Sequence, residues 1–275
     1  MTEAARPAEA VVADVAERLF GYVVRYEAAR DSRAVFAYLY LQLTRSLATA
    51  LSVGDPVFRD PSWVADLAEN LAGEYFAASD AMDAWAVTNG TTPESRVAPE
   101  ELPETVPEPW REVFAAISGG RSYVLEDALF SMMAHITYDL PVAMRRMAAT
   151  SDVASHIADF HQMNGILGLA IDFVQDDLAS RYCWWLADLD RIVARNDELL
   201  SNYGIRVSRG MAWFNFSRLT DPAAVEDAER SIRTSTGAFI QQVREPDWWA
   251  LRVATRAGRL LVPERRRWPT AGSTP

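Results

Sequence analysis

The spacing of apolar residues is the feature that most limits what this chain can fold into. Over most of its 275 residues, apolar side chains recur every three or four positions, as they do on one face of an α-helix. No run of useful length alternates apolar and polar residues, and no internal repeat is visible. The sequence therefore predicts an all-α protein, a single-domain multi-helix bundle of eight or nine helices over residues 10–262.

Local sequence patterns predict which of these helices are buried, long or kinked, and where loops and tails lie. Residues 34–51 are apolar on most of the helix circumference, so this helix is expected to be buried. A long central helix is predicted over about 153–200, either continuous or broken near residues 181–185. Pro141 should kink a helix over about 123–147, because proline lacks an amide hydrogen. Residues 88–109, with five Pro and five Glu, predict an acidic surface loop that is either a lid or an inert connection. Residues 263–275 predict a flexible basic tail.

Composition excludes several classes of function. All 27 basic residues are Arg, so a Schiff-base nucleophile, a pyridoxal-binding lysine and a P-loop lysine are absent. A net charge of −11 argues against a nucleic-acid partner. No stretch reaches the roughly 18 consecutive apolar residues of a membrane-spanning helix. A single cysteine, Cys183, cannot form an intramolecular disulfide, and we expect a cytoplasmic protein.

One candidate constellation is carried by the helix that contains Pro141. His135 and Asp139 are four residues apart, which places an imidazole and a carboxylate on one helix face. That spacing suits an aspartate that orients a proton-transferring histidine, two ligands of one metal, or a hydrogen bond that only stabilises the core. Tyr138 is a further candidate acid. The predicted catalytic residues are His135, Asp139 and Tyr138.

A second pair, His156 and Asp159, begins a strongly apolar helix face. A buried carboxylate needs a partner, and the simplest arrangement brings this pair against His135 and Asp139. Two imidazoles and two carboxylates could hold Zn²⁺, Fe²⁺ or Mn²⁺. A metal site, a metal-free acid–base cluster and purely structural pairs all remain open at this stage.

The aromatic content predicts a ligand cavity or simply a well-packed core. Nine Trp exceed the usual share, and most aromatic residues lie in apolar helices. A cavity of this kind suits a hydrophobic metabolite with a few polar groups. The predicted substrate-binding residues are Tyr38, Gln42, Asn164, Trp184 and Trp213.

Several of these segments resemble one family. They are Tyr38–Thr44, Phe58–Pro61, Glu108–Trp110, His135–Pro141, and His156 with Asp159 and Asn164. Over residues 15–200 the chain resembles an uncharacterised actinobacterial family of helical proteins with a His-Ile-x-x-Asp-Leu-Pro signature. The family often has Asn and His where this chain has Thr137 and Tyr138. The resemblance implies a shared helical fold and a site around the two His/Asp pairs.

The sequence thus favours an enzyme that tailors a small hydrophobic metabolite in secondary metabolism, a cyclase or lyase that works by acid–base catalysis. The first alternative is a metal-dependent hydrolase or oxygenase that uses His135, Asp139, His156 and Asp159. The second alternative is a non-enzymatic binder of an apolar ligand. The expected partner is a hydrophobic small molecule rather than nucleic acid or a membrane, and the sequence leaves a homodimer open.

Overall fold

A computed structural model describes residues 6–52, 57–120, 122–183, 202–245 and 266–269. These residues contain nine α-helices and no strand, which confirms the all-α prediction. In chain order the helices are α1 (Ala8–Ala28), α2 (Arg33–Ser52), α3 (Pro61–Asn89), α4 (Glu108–Ile117), α5 (Val124–Ala134), α6 (Leu140–Met147), α7 (Ile157–Tyr182), α8 (Asn202–Leu219) and α9 (Val225–Arg244).

Helix α2 is central to the bundle, as its apolar circumference predicts. It packs against α1, α5 and α7, and about half of its side chains are buried. Helix α3 begins where Asp60 and Pro61 predict it, because the Asp60 carboxylate accepts a hydrogen bond from the Trp63 backbone N–H at 3.0 Å. The long central helix was predicted to start at residue 153, but Val153–His156 forms a 3₁₀ turn and α7 begins at Ile157. Helix α7 ends at Tyr182, where the prediction left a break open.

Between α5 and α6, just before the proline predicted to kink the helix, the chain makes one π-helical turn, His135–Asp139. Pro141 has no amide hydrogen to donate to the Thr137 carbonyl one turn earlier. Nδ2 of Asn215 on α8 donates to that carbonyl instead, at 3.4 Å. The Leu140 N–H bonds back to the carbonyl of His135, and the helix absorbs one extra residue.

The proline-rich segment is anchored to the body by three apolar side chains. Helix α3 runs through Asn89, so the loop begins at Gly90 in the left-handed region with φ 63°. Val97, Leu102 and Val106 are buried. None of the loop residues lines the cavity described below, so the described part of the structure supports a connection rather than a lid over that cavity.

The predicted tail is corrected at residues 266–269, which pack against the body. Nη2 of Arg266 lies 3.0 Å from Oδ2 of Asp127, and the backbone N–H of Arg267 donates to the Tyr182 carbonyl at 2.7 Å. A buried carboxylate attracts this guanidinium, a long-range pairing that composition cannot reveal. A helix predicted over about 246–260 lies outside the described residues. In the described part of the chain, no helix combines the length and apolarity needed to cross a membrane.

Candidate functional site

The π-turn places His135 and Asp139 side by side in the core. Nδ1 of His135 lies 3.0 Å from Oδ2 of Asp139, and their side chains are 5% and 1% exposed. The pairing predicted from their spacing is therefore confirmed, although the turn that carries it is π rather than α. We call these two residues the dyad.

Trp110 on α4 completes the environment of the carboxylate. Its Nε1–H group is 3.0 Å from both Oδ1 and Oδ2 of Asp139. The imidazole of His135 packs against aromatic rings of α2 and α3, with centroids 4.4 Å from Tyr40, 5.5 Å from Phe36 and 6.4 Å from Tyr75. Phe36 and Tyr75 also pack against the indole of Trp110, so the imidazole and the indole share the same aromatic neighbours.

Burial shifts the protonation of both members of the dyad. It raises the pKa of Asp139 well above its usual range, and donation from Trp110 opposes this rise in part. Burial, and to a lesser degree the positive charge of Arg209, lowers the pKa of His135 to about 3, while Glu74 opposes the fall. His135 is therefore a neutral imidazole at pH 7, with one ring nitrogen bonded to Asp139.

The other ring nitrogen, Nε2 of His135, is buried without a hydrogen-bond partner among the described residues. His135 lines a small cavity, with a volume of about 60 Å³, room for about four to six water-sized groups. The walls come from α2, α3, α5, the π-turn, α7 and α8 and are mostly apolar; the lining residues are Tyr40, Leu43, Thr44, Leu47, Ala68, Leu71, Met132, His135, Ile136, Met163, Leu167, Ile205 and Arg209.

Arg209 on α8 is the charged residue of this cavity. It is 3% exposed; its Nε donates to Oδ1 of Asn164, and its guanidinium lies 4.4 Å above the ring of Phe160. Burial lowers its pKa to about 10, so it remains a cation at neutral pH. Asn164, predicted to bind substrate, thus borders the site as the partner of Arg209.

The structure corrects the role predicted for Tyr138. Although it is adjacent to Asp139 in sequence, its side chain packs with Leu219, Ala228 and Ile232 between the π-turn and the last two helices. It does not line the cavity. The physical reason is that consecutive side chains point to different sides of a helix, so the residue next to Asp139 in sequence faces away from it. Tyr138 is therefore not placed to exchange a proton with a ligand in this cavity.

The four-residue metal site predicted from the two His/Asp pairs does not form. His156 stacks on Trp63 with ring centroids 4.8 Å apart, and its Nε2 lies 3.1 Å from Oδ2 of Asp60. Asp159 accepts hydrogen bonds from the backbone N–H groups of Arg59 at 2.7 Å and Asp60 at 3.0 Å. Both members of the second pair therefore have partners at residues 59 and 60 rather than in the dyad. Within the described ranges, no three His, Cys, Asp or Glu side chains are grouped to hold a metal ion.

Other residues predicted to bind substrate lie elsewhere. Tyr38 donates to Asp177 and packs edge-on against Tyr182 at 5.7 Å, and Gln42 is its neighbour on the same helix face. Neither lines the cavity. Trp213 packs against Phe160 at 4.8 Å, as a core aromatic residue does. Trp184 lies outside the described residues.

A comparison of the sequence with protein-family models matches residues 12–246 to DUF5995, a family of unknown function. The chain belongs to this family. No curated protein and no solved structure matches it. The DUF5995 match spans the whole dyad, its Trp110 partner and Arg209.

In this DUF5995 protein, sequence reasoning missed three residues of the site. Trp110 and Tyr40 lie in segments that carry the family resemblance, but they belong to aromatic-rich helices in which any ring could face the core, so neither was predicted as a site residue. Arg209 had a weak signal, since it follows Ile205 by four residues, and an arginine on the apolar stripe of a helix needs a partner.

Proposed function

We propose that this protein is an enzyme that transforms a small hydrophobic molecule by acid–base catalysis, in the manner of a cyclase or lyase. The observation that supports this proposal is the orientation of His135. One ring nitrogen is held by the buried carboxylate of Asp139 at 3.0 Å, the other is buried without a partner among the described residues, and the side chain lines a cavity. A histidine oriented by a carboxylate, with its second nitrogen free, is a common arrangement for proton transfer.

The chemistry follows from the two hydrogen-bonding positions of the imidazole. When Asp139 is ionised, the Nδ1–H group of His135 donates to it, and Nε2 presents a lone pair that can remove a proton from a bound molecule. The carboxylate then stabilises the imidazolium, which returns the proton to a leaving group or to another atom of the product. The proton is conserved, and the two bonding electrons that it leaves behind form the new bond of an elimination or a ring closure.

The surroundings favour such a step. The walls of the cavity are mostly apolar, and electrostatic interactions are stronger in apolar surroundings than in water. Burial keeps the resting ring of His135 neutral and disfavours the imidazolium, so proton transfer to the ring relies on the charge of the Asp139 carboxylate to stabilise it. Trp110 fixes the carboxylate through both of its oxygens, so the dyad needs little rearrangement during proton transfer.

The test is turnover of a small-molecule extract from cells that carry the gene, followed by mass spectrometry. We expect a metabolite that disappears with the wild-type protein and reacts about 10²–10⁴-fold more slowly with His135→Gln. The matched control is His156→Gln, the same substitution at a histidine bonded to Asp60 outside the cavity, which should retain full turnover. A wild-type rate that persists in His135→Gln would overturn the proposal.

A non-enzymatic binder is the second candidate, and the predominantly apolar lining of the cavity favours it. A binder needs the cavity but not the proton chemistry of the dyad. Its signature would be a ligand that co-purifies unchanged and binds equally to wild type and His135→Gln. The same extract experiment separates this candidate from the enzyme, because only the enzyme yields a product.

A further inference from the structure

Arg209 is a buried cation with only neutral partners among the described residues. Its side chain contacts the amide oxygen of Asn164, the ring of Phe160 at 4.4 Å and the sulfur of Met163 at 3.9 Å. No described carboxylate lies within ion-pair distance of it. An unpaired charge held away from water is strongly destabilising, so a negatively charged group on a bound ligand would compensate it.

Two other arginines with little exposure are paired with carboxylates, unlike Arg209. Arg33 is 11% exposed and pairs with Asp31 and Asp83, at 2.6 Å each. Arg266 is 7% exposed and pairs with Asp127 at 3.0 Å. In both cases a carboxylate compensates the guanidinium. Arg209 is also buried, but no carboxylate among the described residues pairs with it.

The other walls of the cavity indicate what a ligand must carry besides a negative charge. Arg209 and His135 both line it, and its other walls are mostly aliphatic. A single guanidinium compensates one negative charge, and its planar fork matches a carboxylate. With a volume of about 60 Å³, the cavity has room for about four to six water-sized groups, which fits a short apolar chain with a carboxylate at one end.

We propose that the cavity binds a monocarboxylate with an apolar body, whose carboxylate pairs with Arg209 and whose body contacts the aliphatic walls. This inference rests on the proposed function only in naming the substrate class of the same site. His135 lines the same cavity as Arg209, so a molecule held at Arg209 would share that cavity with the imidazole. Arg209 is thus a binding residue, and His135 is the group that acts on the bound molecule.

The first test compares butanoate with butanamide, a neutral molecule of nearly the same shape, by the rise in melting temperature and by calorimetric titration of the full chain. We expect butanoate to bind at least tenfold more tightly than butanamide. Inorganic phosphate serves as a third probe, and it should bind no better than butanamide because it lacks an apolar body. Equal affinity for butanoate and butanamide, or a preference for phosphate, would overturn the proposal.

The second test uses Arg209→Met, with Arg206→Met as the matched control. Both residues lie on α8 and both substitutions remove one positive charge, but Arg206 is exposed. We expect Arg209→Met to lose the preference for butanoate and Arg206→Met to retain it within twofold. Arg209→Lys retains the charge without the planar fork and should bind with intermediate affinity. Equal weakening in Arg209→Met and Arg206→Met would contradict the inference, and the wild-type comparison decides it even where a variant does not fold.

The outcomes for the two proposals are separable. His135→Gln should retain the butanoate preference within a few-fold, because the charge lies on Arg209. A butanoate preference without any turnover that depends on His135 would refute the enzyme and leave the binding site. Turnover that depends on His135 without an anion preference would refute the binding site and leave the enzyme.

Discussion

Nε1 of Trp110 lies 3.0 Å from each carboxylate oxygen of Asp139, so one indole N–H is shared between both oxygens of a carboxylate in the core. This hydrogen bond joins α4 to the π-turn and leaves Oδ2 also in contact with the imidazole of His135. The tryptophan thereby positions the aspartate, and the aspartate positions the histidine.

Trp110→Phe should destabilise the protein more than an equivalent loss of ring volume does. The substitution removes the donor of a buried carboxylate, which costs about 1–3 kcal/mol in addition to lost packing. Trp63→Phe is the matched control, because Trp63 is also buried but its Nε1 has no partner in the described structure. Urea unfolding measures both variants. Equal losses of unfolding free energy would show that the Trp110 hydrogen bond contributes nothing.

Asp127 should make stability fall as the pH rises. Burial raises its pKa to about 7, against the opposing charge of Arg266 and the hydroxyl of Ser122. A folded-state pKa above the unfolded value of 3.8 means that protonated Asp127 stabilises the fold below about pH 4, and that this contribution is lost as the pH rises through about 7. The unfolding free energy of wild type minus that of Asp127→Asn should therefore fall between pH 4 and 8. A difference that stays constant or rises would refute the shift.

Asp159 should behave as a structural residue. Asp159→Ala removes two hydrogen bonds from a carboxylate to the N–H groups of residues 59 and 60, and we expect a loss of about 3 kcal/mol in unfolding free energy. His156→Gln should cost less than about 1 kcal/mol, since that ring is partly exposed. Both variants should retain the butanoate affinity of wild type within twofold. An equally small loss in the two variants would argue against this role for Asp159.

Asn215 and Pro141 should be coupled through the Thr137 carbonyl. Asn215→Leu leaves that carbonyl without its donor and should cost about 1–3 kcal/mol. In a Pro141→Ala background, the new amide at residue 141 can donate to the same carbonyl, so Asn215→Leu should cost at least about 0.5 kcal/mol less. A double-mutant cycle in urea gives this coupling energy. Simple additivity would show that the two groups do not serve the same carbonyl.

The parts of the fold that depend on local signals could be predicted from sequence. The start of α3 followed from Asp60 and Pro61, whose side chains act within one helical turn. The contact between His135 and Asp139 followed from a spacing of four residues. Both features are decided by residues near one another in the chain, so the pattern was sufficient.

The parts of the fold and of the site that depend on distant residues could not be predicted from the sequence. A buried Asp159 does require a partner, but sequence alone could not show that the partner would be a pair of backbone amides about 100 residues earlier in the chain. The burial of Arg209 depends on how α8 packs against α7, which is a property of the assembled bundle. The metal hypothesis was wrong for this reason, because it assumed the tertiary contact between two helix faces.

The π-turn also sets the directions in which the side chains of α6 point. Each residue of an α-helix advances the side-chain direction by about 100°, so removing one residue from positions 135–139 would rotate α6 by about that angle. Ala143, Met144 and Met147, now buried, would turn toward solvent. Point substitutions alone therefore cannot straighten this helix into a regular one. A lineage that lost the irregular turn would have to delete a residue and rewrite the apolar stripe of α6 together.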